Sequence, residues 1–230
     1  MYALVSGPLG ETTPDVVKEA LRSSAELPAG SLKASFLPAD VARFDYECRH
    51  TIQGDGALLL DVKVTPTGAQ PPALPRIGLQ LTLPGDYNIF TWYGRGPHES
   101  YADRKQSARI GIYQGSVEDQ STAYGMPQEN GNKSDVRWAT FTNAAGEGLK
   151  IEGVSALFNI SAHHFTAADL TNARHTYELP RRNEITVHLD HVQSGLGNAS
   201  CGPGVLPQYR VKPQPYQFSI RILPCLKKVQ

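Results

Sequence analysis

Ile185, Val187 and Leu189 fall on one side of an extended chain, and Thr186, His188 and Asp190 fall on the other. A strand with that alternation is expected to bury one face and leave the other to solvent. The period of two returns near the C-terminus, where Tyr216, Phe218, Ile220 and Ile222 oppose Gln217, Ser219 and Arg221. Shorter runs, rich in β-branched and aromatic residues and bounded by Gly, Pro and Asp, occupy 43–51, 57–65, 76–83, 87–93, 107–114, 135–142, 149–153 and 157–161. Gly54-Asp55-Gly56 predicts a hairpin turn between the first two runs. Pro84-Gly85-Asp86 predicts another between 76–83 and 87–93, and 143–148 supplies a further turn.

Helical spacing is clear once, over 13–24, where Val16, Val17, Ala20 and Leu21 recur behind Thr13 as N-cap and Pro14 at the first helical position. About ten strands with one short N-terminal helix predict an all-β protein, a large antiparallel β-sandwich. Pro71-Pro72 is too short to mark a boundary. The organisation read from the chain is therefore a 1–40 segment carrying the helix, followed by a single sandwich domain over 41–230.

Composition narrows the function classes. Apolar residues make up 40% and charged residues 19% of the 230, enough for a real core and too ordered a balance for a disordered chain. A formal net charge of zero removes the basic surface that nucleic-acid binding needs. Cys48, Cys201 and Cys225 are odd in number and far apart, which fits free thiols in a reducing compartment. The first ten residues have neither a basic nor an apolar leader region, and no apolar run is long enough to span a bilayer. A cytoplasmic protein without membrane contact is the expectation. The sequons at Asn132, Asn159 and Asn198 read as chance matches without a secretion signal.

Three loop-like stretches concentrate the chemistry. The first is Trp92-Tyr93-Gly94-Arg95-Gly96-Pro97-His98-Glu99-Ser100-Tyr101 with Asp103-Arg104-Lys105. The second runs from Met126 through Pro127-Gln128-Glu129-Asn130-Gly131 to Trp138, and the third is Gly195-Leu196-Gly197-Asn198-Ala199-Ser200-Cys201-Gly202-Pro203. Amide, carboxylate, guanidinium and aromatic groups clustered at one end of a sandwich suit a polyhydroxylated ligand such as a sugar.

For Arg95, Glu99, Asp103 and Arg104, an ion-pair network that pins the loop accounts for the charges better than catalysis, because spacing reveals no acid/base pair. Glu129 serves ligand contact and loop bracing equally well. Trp92 and Trp138 lie within predicted strands and read as core. Cys201, among small residues, reads as a packing cysteine. His163-His164, His175 and His188-Leu189-Asp190-His191 have no diagnostic metal spacing. No Gly-rich phosphate loop precedes a helix.

These motifs, with Leu74-Pro75-Arg76-Ile77-Gly78-Leu79 before them and Asp135-Val136-Arg137-Trp138 after Gly131, resemble in order and spacing the C-terminal domain of glycoside hydrolase family 2 β-galactosidases. The resemblance covers roughly 43–222 and leaves the first forty residues poorly matched. In some bacteria this region is a separate small subunit.

The resemblance implies a sandwich of the galactose-mutarotase-like type, placed after a barrel that carries both catalytic glutamates, and hence no catalytic residue on this chain. It implies that Glu129, Asn130 and Gly131 form a mobile loop near the sugar, and that Ser200 and Cys201 lie on a segment facing it. Well-studied bacterial members have a stacking tryptophan where Cys201 falls; others share Ser-Cys-Gly-Pro. The implied partners are the barrel domain or large subunit and a galactoside such as lactose, in an oligomeric complete enzyme. No cofactor is implied for this chain, and magnesium and sodium are left to the complete enzyme. Two rivals stand beside this reading. One is a stand-alone carbohydrate-binding module, and the other an aldose epimerase, for which His164, His188, Asp190 and Glu184 would have to converge on one sugar pocket.

Overall fold

A computed structural model describes residues 43–198 and 201–226. The helix expected over 13–24 lies outside these described residues, as does Ser200. Strands β1 (Arg43–Ile52) and β2 (Leu58–Thr67) pair from Arg43 opposite Thr67 to Ile52 opposite Leu58. The expected turn joins them: Gly56 adopts φ 82° and its amide donates to the Gln53 carbonyl at 2.9 Å. Then follow β3 (Arg76–Leu83), β4 (Ile89–Gly96), β5 (Arg109–Ser116), β6 (Lys133–Val136) and β7 (Trp138–Thr142). After them come β8 (Gly148–Gly153), β9 (Phe158–His163), helix α1 (Ala167–Asn172), β10 (Ile185–Gln193) and β11 (Tyr216–Cys225).

The strands form two antiparallel sheets, one of seven in the order β1-β2-β11-β8-β7-β4-β5 and one of four in the order β3-β10-β9-β6. The expected all-β sandwich is what the chain forms. Its core draws Val62, Phe90, Trp92, Phe141, Ile151 and Phe218 from the larger sheet and Ile77, Phe158, Ile160, Ile185, Val187 and Leu189 from the smaller. Phe90 stacks between Trp92 and Phe141 at centroid separations of 4.8 and 4.7 Å. Each such side chain removed from water stabilises the fold by about 1.5–3 kcal/mol.

Three expectations are corrected. Pro84-Gly85-Asp86 does not close a hairpin, because β3 belongs to the four-stranded sheet and β4 to the seven-stranded one, so this turn carries the chain across the core. The run 135–142 is two strands. Asp135 takes φ 55°, β6 pairs with β9, and β7 pairs with β4 and β8 in the other sheet. Arg137, between them, donates its amide to the Tyr93 carbonyl at 2.8 Å and accepts from the Gly153 amide at 3.1 Å. Finally, the polar face of β10 is not given to solvent: Thr186 and Asp190 are buried. Helix α1 escaped the sequence reading; Thr166 and Asp169 form a capping box at its start. Among the described residues no helix is long and apolar enough to cross a membrane.

Candidate functional site

The three chemistry-bearing stretches meet at one end of the sandwich. The Ser100 amide donates to the Asn132 carbonyl at 2.8 Å, Asn132 Nδ2 returns a bond to the Ser100 carbonyl at 2.7 Å, and the Ser134 amide donates to Ser100 Oγ at 3.0 Å. These bonds fix the loop after β4 to the start of β6. On its other side, Asp103 Oδ2 accepts the Gly197 amide at 2.7 Å. The loop following β4 is thus the middle member of the three.

At the centre, Arg76 at the start of β3 binds two carboxylates. Its Nη1 donates to Asp190 Oδ2 on β10 at 3.1 Å, and its Nη2 to Glu129 Oε2 on the loop between β5 and β6. Glu129 Oε1 accepts from Gln193 Nε2 at 3.1 Å and from the Tyr101 hydroxyl at 3.4 Å. Both oxygens of Glu129 are therefore held within the domain. Gly78 stands opposite Asp190 in the β3–β10 register, and a Cβ there would come within 2.5 Å of Asp190 Oδ1, so only glycine leaves room for the carboxylate. Asp190 is 1% exposed. Burial, offset by Arg76 and reinforced by Glu129, pushes its carboxyl up to about 7. Burial also raises the Tyr101 hydroxyl far above the ordinary range, keeping it a donor.

A second set of bonds shapes the loop that carries Glu129. Asn130 is buried; its Oδ1 accepts from the Thr122 amide at 3.0 Å, its Nδ2 donates to the Gln128 carbonyl at 2.9 Å, and its carbonyl lies 3.0 Å from His163 Nε2. Gly131 takes φ 75° against the His163 ring, which Phe165 stacks from a centroid distance of 4.6 Å. The Gly131 amide donates to Glu99 Oε2 at 2.8 Å, while Glu99 Oε1 meets the Tyr124 hydroxyl and, at 3.5 Å, Arg104. Beneath, Lys133 is 1% exposed, donates to the Pro97 carbonyl at 2.9 Å and lies 4.9 Å from the Trp92 ring centroid. Burial lowers its amine to about 8 and the imidazoles of His163 and His188 to about 4 and 3.

Among the described residues, those singled out in the sequence have definite places. Arg95 donates to Asp135 at 2.5 Å and to the carbonyls of Lys105 and Ala108 at 3.0 and 2.9 Å, with Lys105 also on Asp135. Glu99 and Arg104 form a separate brace on the Gly131 loop, and Asp103 a third on Gly197, so the charges serve three contacts instead of one network. Cys201 is exposed. Trp92 is core, whereas Trp138 is half-buried on the outer face of the larger sheet, 6.3 Å from Tyr93.

The four epimerase candidates do not converge on one site: His188 and Asp190 share a face of β10, and Glu184 precedes the start of the strand. His164 lies at the opposite end of β10 from Asp190, with Nδ1 3.1 and 3.2 Å from the Arg182 and Glu184 carbonyls and Nε2 3.2 Å from Glu118. Among the described residues no three His, Cys, Asp or Glu side chains are grouped to hold a metal. Sequence reasoning missed the roles of Arg76, Tyr101 and Gln193; the signal available was that Arg76 and Tyr101 lie inside matched motifs.

Two carboxylates sharing one guanidinium form an anchor. Asp190, at 1% exposure, has no side open to a substrate, and both Glu129 oxygens are already bonded within the domain.

The family model described as beta galactosidase small chain matches residues 11–222. A beta-galactosidase of Priestia megaterium is 39% identical over 148 residues, which are 64% of this chain and 14% of that protein. One of Arthrobacter sp. is 34% identical over 205 residues, 86% of this chain and 20% of that protein. One of Kluyveromyces lactis is 38% identical over 149 residues, 65% and 14% respectively. The chain thus spans a fifth or less of the length of these relatives. With a model match over nearly all of its length, the chain belongs to the beta galactosidase small chain family.

Proposed function

We propose that this chain is the part of a β-galactosidase that completes the sugar pocket, while the catalytic glutamates lie on another domain or subunit. The reaction is hydrolysis of terminal β-galactosides such as lactose. The loop bearing Glu129, Asn130 and Gly131 and the segment of Ser200 and Cys201 form one wall of that pocket, and the complete enzyme is an oligomer working in the cytoplasm. Any magnesium or sodium requirement belongs to the complete enzyme and to no site on this chain.

One observation carries the reading: the Glu129 carboxylate is engaged on both oxygens and is not a free acid or nucleophile, and the loop after β4 bonds to Asn132 on one side and through Asp103 to Gly197 on the other. Such a surface shapes a pocket and does no bond breaking of its own. Family membership supports the same division of labour.

Purified chain is expected to leave a nitrophenyl β-galactoside intact and to support turnover when combined with the barrel-bearing part. Robust hydrolysis by the chain alone contradicts the reading.

A further inference from the structure

We infer that Arg76 is a positioning residue: seated on buried Asp190, it latches Glu129 and so fixes the loop over 126–131 as a wall of the sugar pocket. The inference rests on the functional reading above and adds a residue to it.

The geometry is that of an anchor with a rigid base and a lighter upper part. The base is Asp190, in the interior of its sheet between β3 and β9, 1% exposed, with Gly78 opposite to admit its carboxylate. A buried carboxylate in that position needs a cation, and Arg76 supplies it at 3.1 Å. The planar guanidinium has donors to spare on a second edge, and that edge meets Glu129. Gln193 and Tyr101 take the remaining Glu129 oxygen, so the side chain has one orientation.

Glu129 is the more exposed end, with 28% of its side chain accessible against 14% for Arg76 and 2% for Asp190. Exposure thus increases from the sheet toward the loop. Removing Glu129 frees the loop and leaves the base intact, whereas removing Arg76 strands Asp190. At the next residues the loop is held independently, by Asn130 and by the Gly131 amide on Glu99, so the latch governs the stretch on the Met126 side.

The test has two arms. In hydrogen exchange on the full chain, Glu129→Gln should speed exchange several-fold in the peptide over 124–130 while leaving β3 and β10 protected. Arg76→Gln should do the same with an added loss of melting temperature, and Arg76→Lys should restore part of the protection. In steady-state kinetics of the chain combined with its catalytic part, both Gln variants should raise KM for a nitrophenyl galactoside by about five- to tenfold with kcat changed less than about twofold. Arg137→Gln, whose guanidinium lies over the Tyr93 ring and donates to the Asp135 carbonyl, is the control expected to change neither.

Unchanged exchange in Glu129→Gln overturns the latch whatever the kinetics. Faster exchange with an unchanged KM overturns its bearing on the pocket. A wild-type complex without turnover overturns the functional reading alone, because the exchange arm decides the latch by itself.

Discussion

Asp103 accepts the Gly197 amide at 2.7 Å, and this bond joins the loop after β4 to the segment that presents Cys201. Gly195 flanks the contact so closely that a Cβ there would lie 2.5 Å from the Asp103 carboxyl carbon. Asp103→Ala should cost about 1–3 kcal/mol through the lost charge-assisted bond, and Gly195→Ala should have a comparable effect by pushing the carboxylate aside. Thermal melts read both, as a fall of about 2–12 °C for a domain of this size. Because the contact is local, far-ultraviolet circular dichroism should be unchanged in both.

Arg95 is the brace of the corner between β4 and the following loop. It satisfies two loop carbonyls and the carboxylate of Asp135, a residue already in a left-handed conformation. Burial alone would raise the Asp135 carboxyl, but Arg95 and Lys105 outweigh it and hold it below the ordinary carboxylate range. Arg95→Ala should remove about 3 kcal/mol and lower the melting temperature by roughly 6–12 °C. Asp135→Asn should remove the part of the acid sensitivity that appears as pH falls below the normal aspartate value. Full stability with lost activity in Arg95→Ala would reassign Arg95 from brace to site.

The outer face of the smaller sheet sets a pH dependence of opposite signs. His163 titrates at about 4 instead of 6.5, so the folded state gains its full advantage above 6.5 and loses it as pH falls toward 4, by about 3 kcal/mol. His188, lowered to about 3, acts in the same direction. Asp190 opposes both: its carboxyl, raised to about 7, binds a proton more readily in the folded chain, so its contribution falls as pH rises from the ordinary aspartate range to 7. Arg76 faces all three groups, with Lys133 and Glu99 also acting on His163 and Glu129 on Asp190. Urea denaturation between pH 4 and 6.5 should therefore show a flatter rise in stability for His163→Gln and a steeper one for Asp190→Asn than for the wild type.

How much of this was legible in the sequence follows from what each pattern can encode. Alternation placed Ile185, Val187 and Leu189 on the core face, and Gly54-Asp55-Gly56 located the β1–β2 hairpin, because both depend on neighbours in sequence. Period two says nothing of which sheet a strand joins, so Pro84-Gly85-Asp86 passed for a hairpin turn and the break at Arg137 went unseen. The burial of Asp190 was invisible for a different reason: its cation, Arg76, lies 114 positions away and is brought opposite only by the β3–β10 pairing. The three loops were found, but their internal bonding was not, since Glu99 reaches Gly131 and Asp103 reaches Gly197 across the fold.

Gly131 is a sharper local test of that bonding. At φ 75°, with Gln120 carbonyl oxygen and the His163 ring 2.6 and 2.7 Å from where a Cβ would stand, Gly131→Ala should cost about 2–4 kcal/mol. Melting temperature reads the loss, and a change below about 1 kcal/mol would mean that the loop backbone relaxes freely around this position.

The three thiols should separate by reactivity. Cys201 is exposed, whereas Cys48 and Cys225 are half-buried and burial pushes both thiols up. Brief maleimide labelling followed by peptide mapping should modify Cys201 first. If that labelling also slows hydrolysis by the assembled enzyme, the segment borders the sugar as proposed.

The division of labour between this chain and a catalytic partner is tested most directly by titrating the chain into the barrel-bearing part at fixed nitrophenyl galactoside. The account predicts a rate that is negligible for the chain by itself, climbs with added chain and then saturates. A rate independent of added chain, or hydrolysis by the chain without its partner, would contradict it.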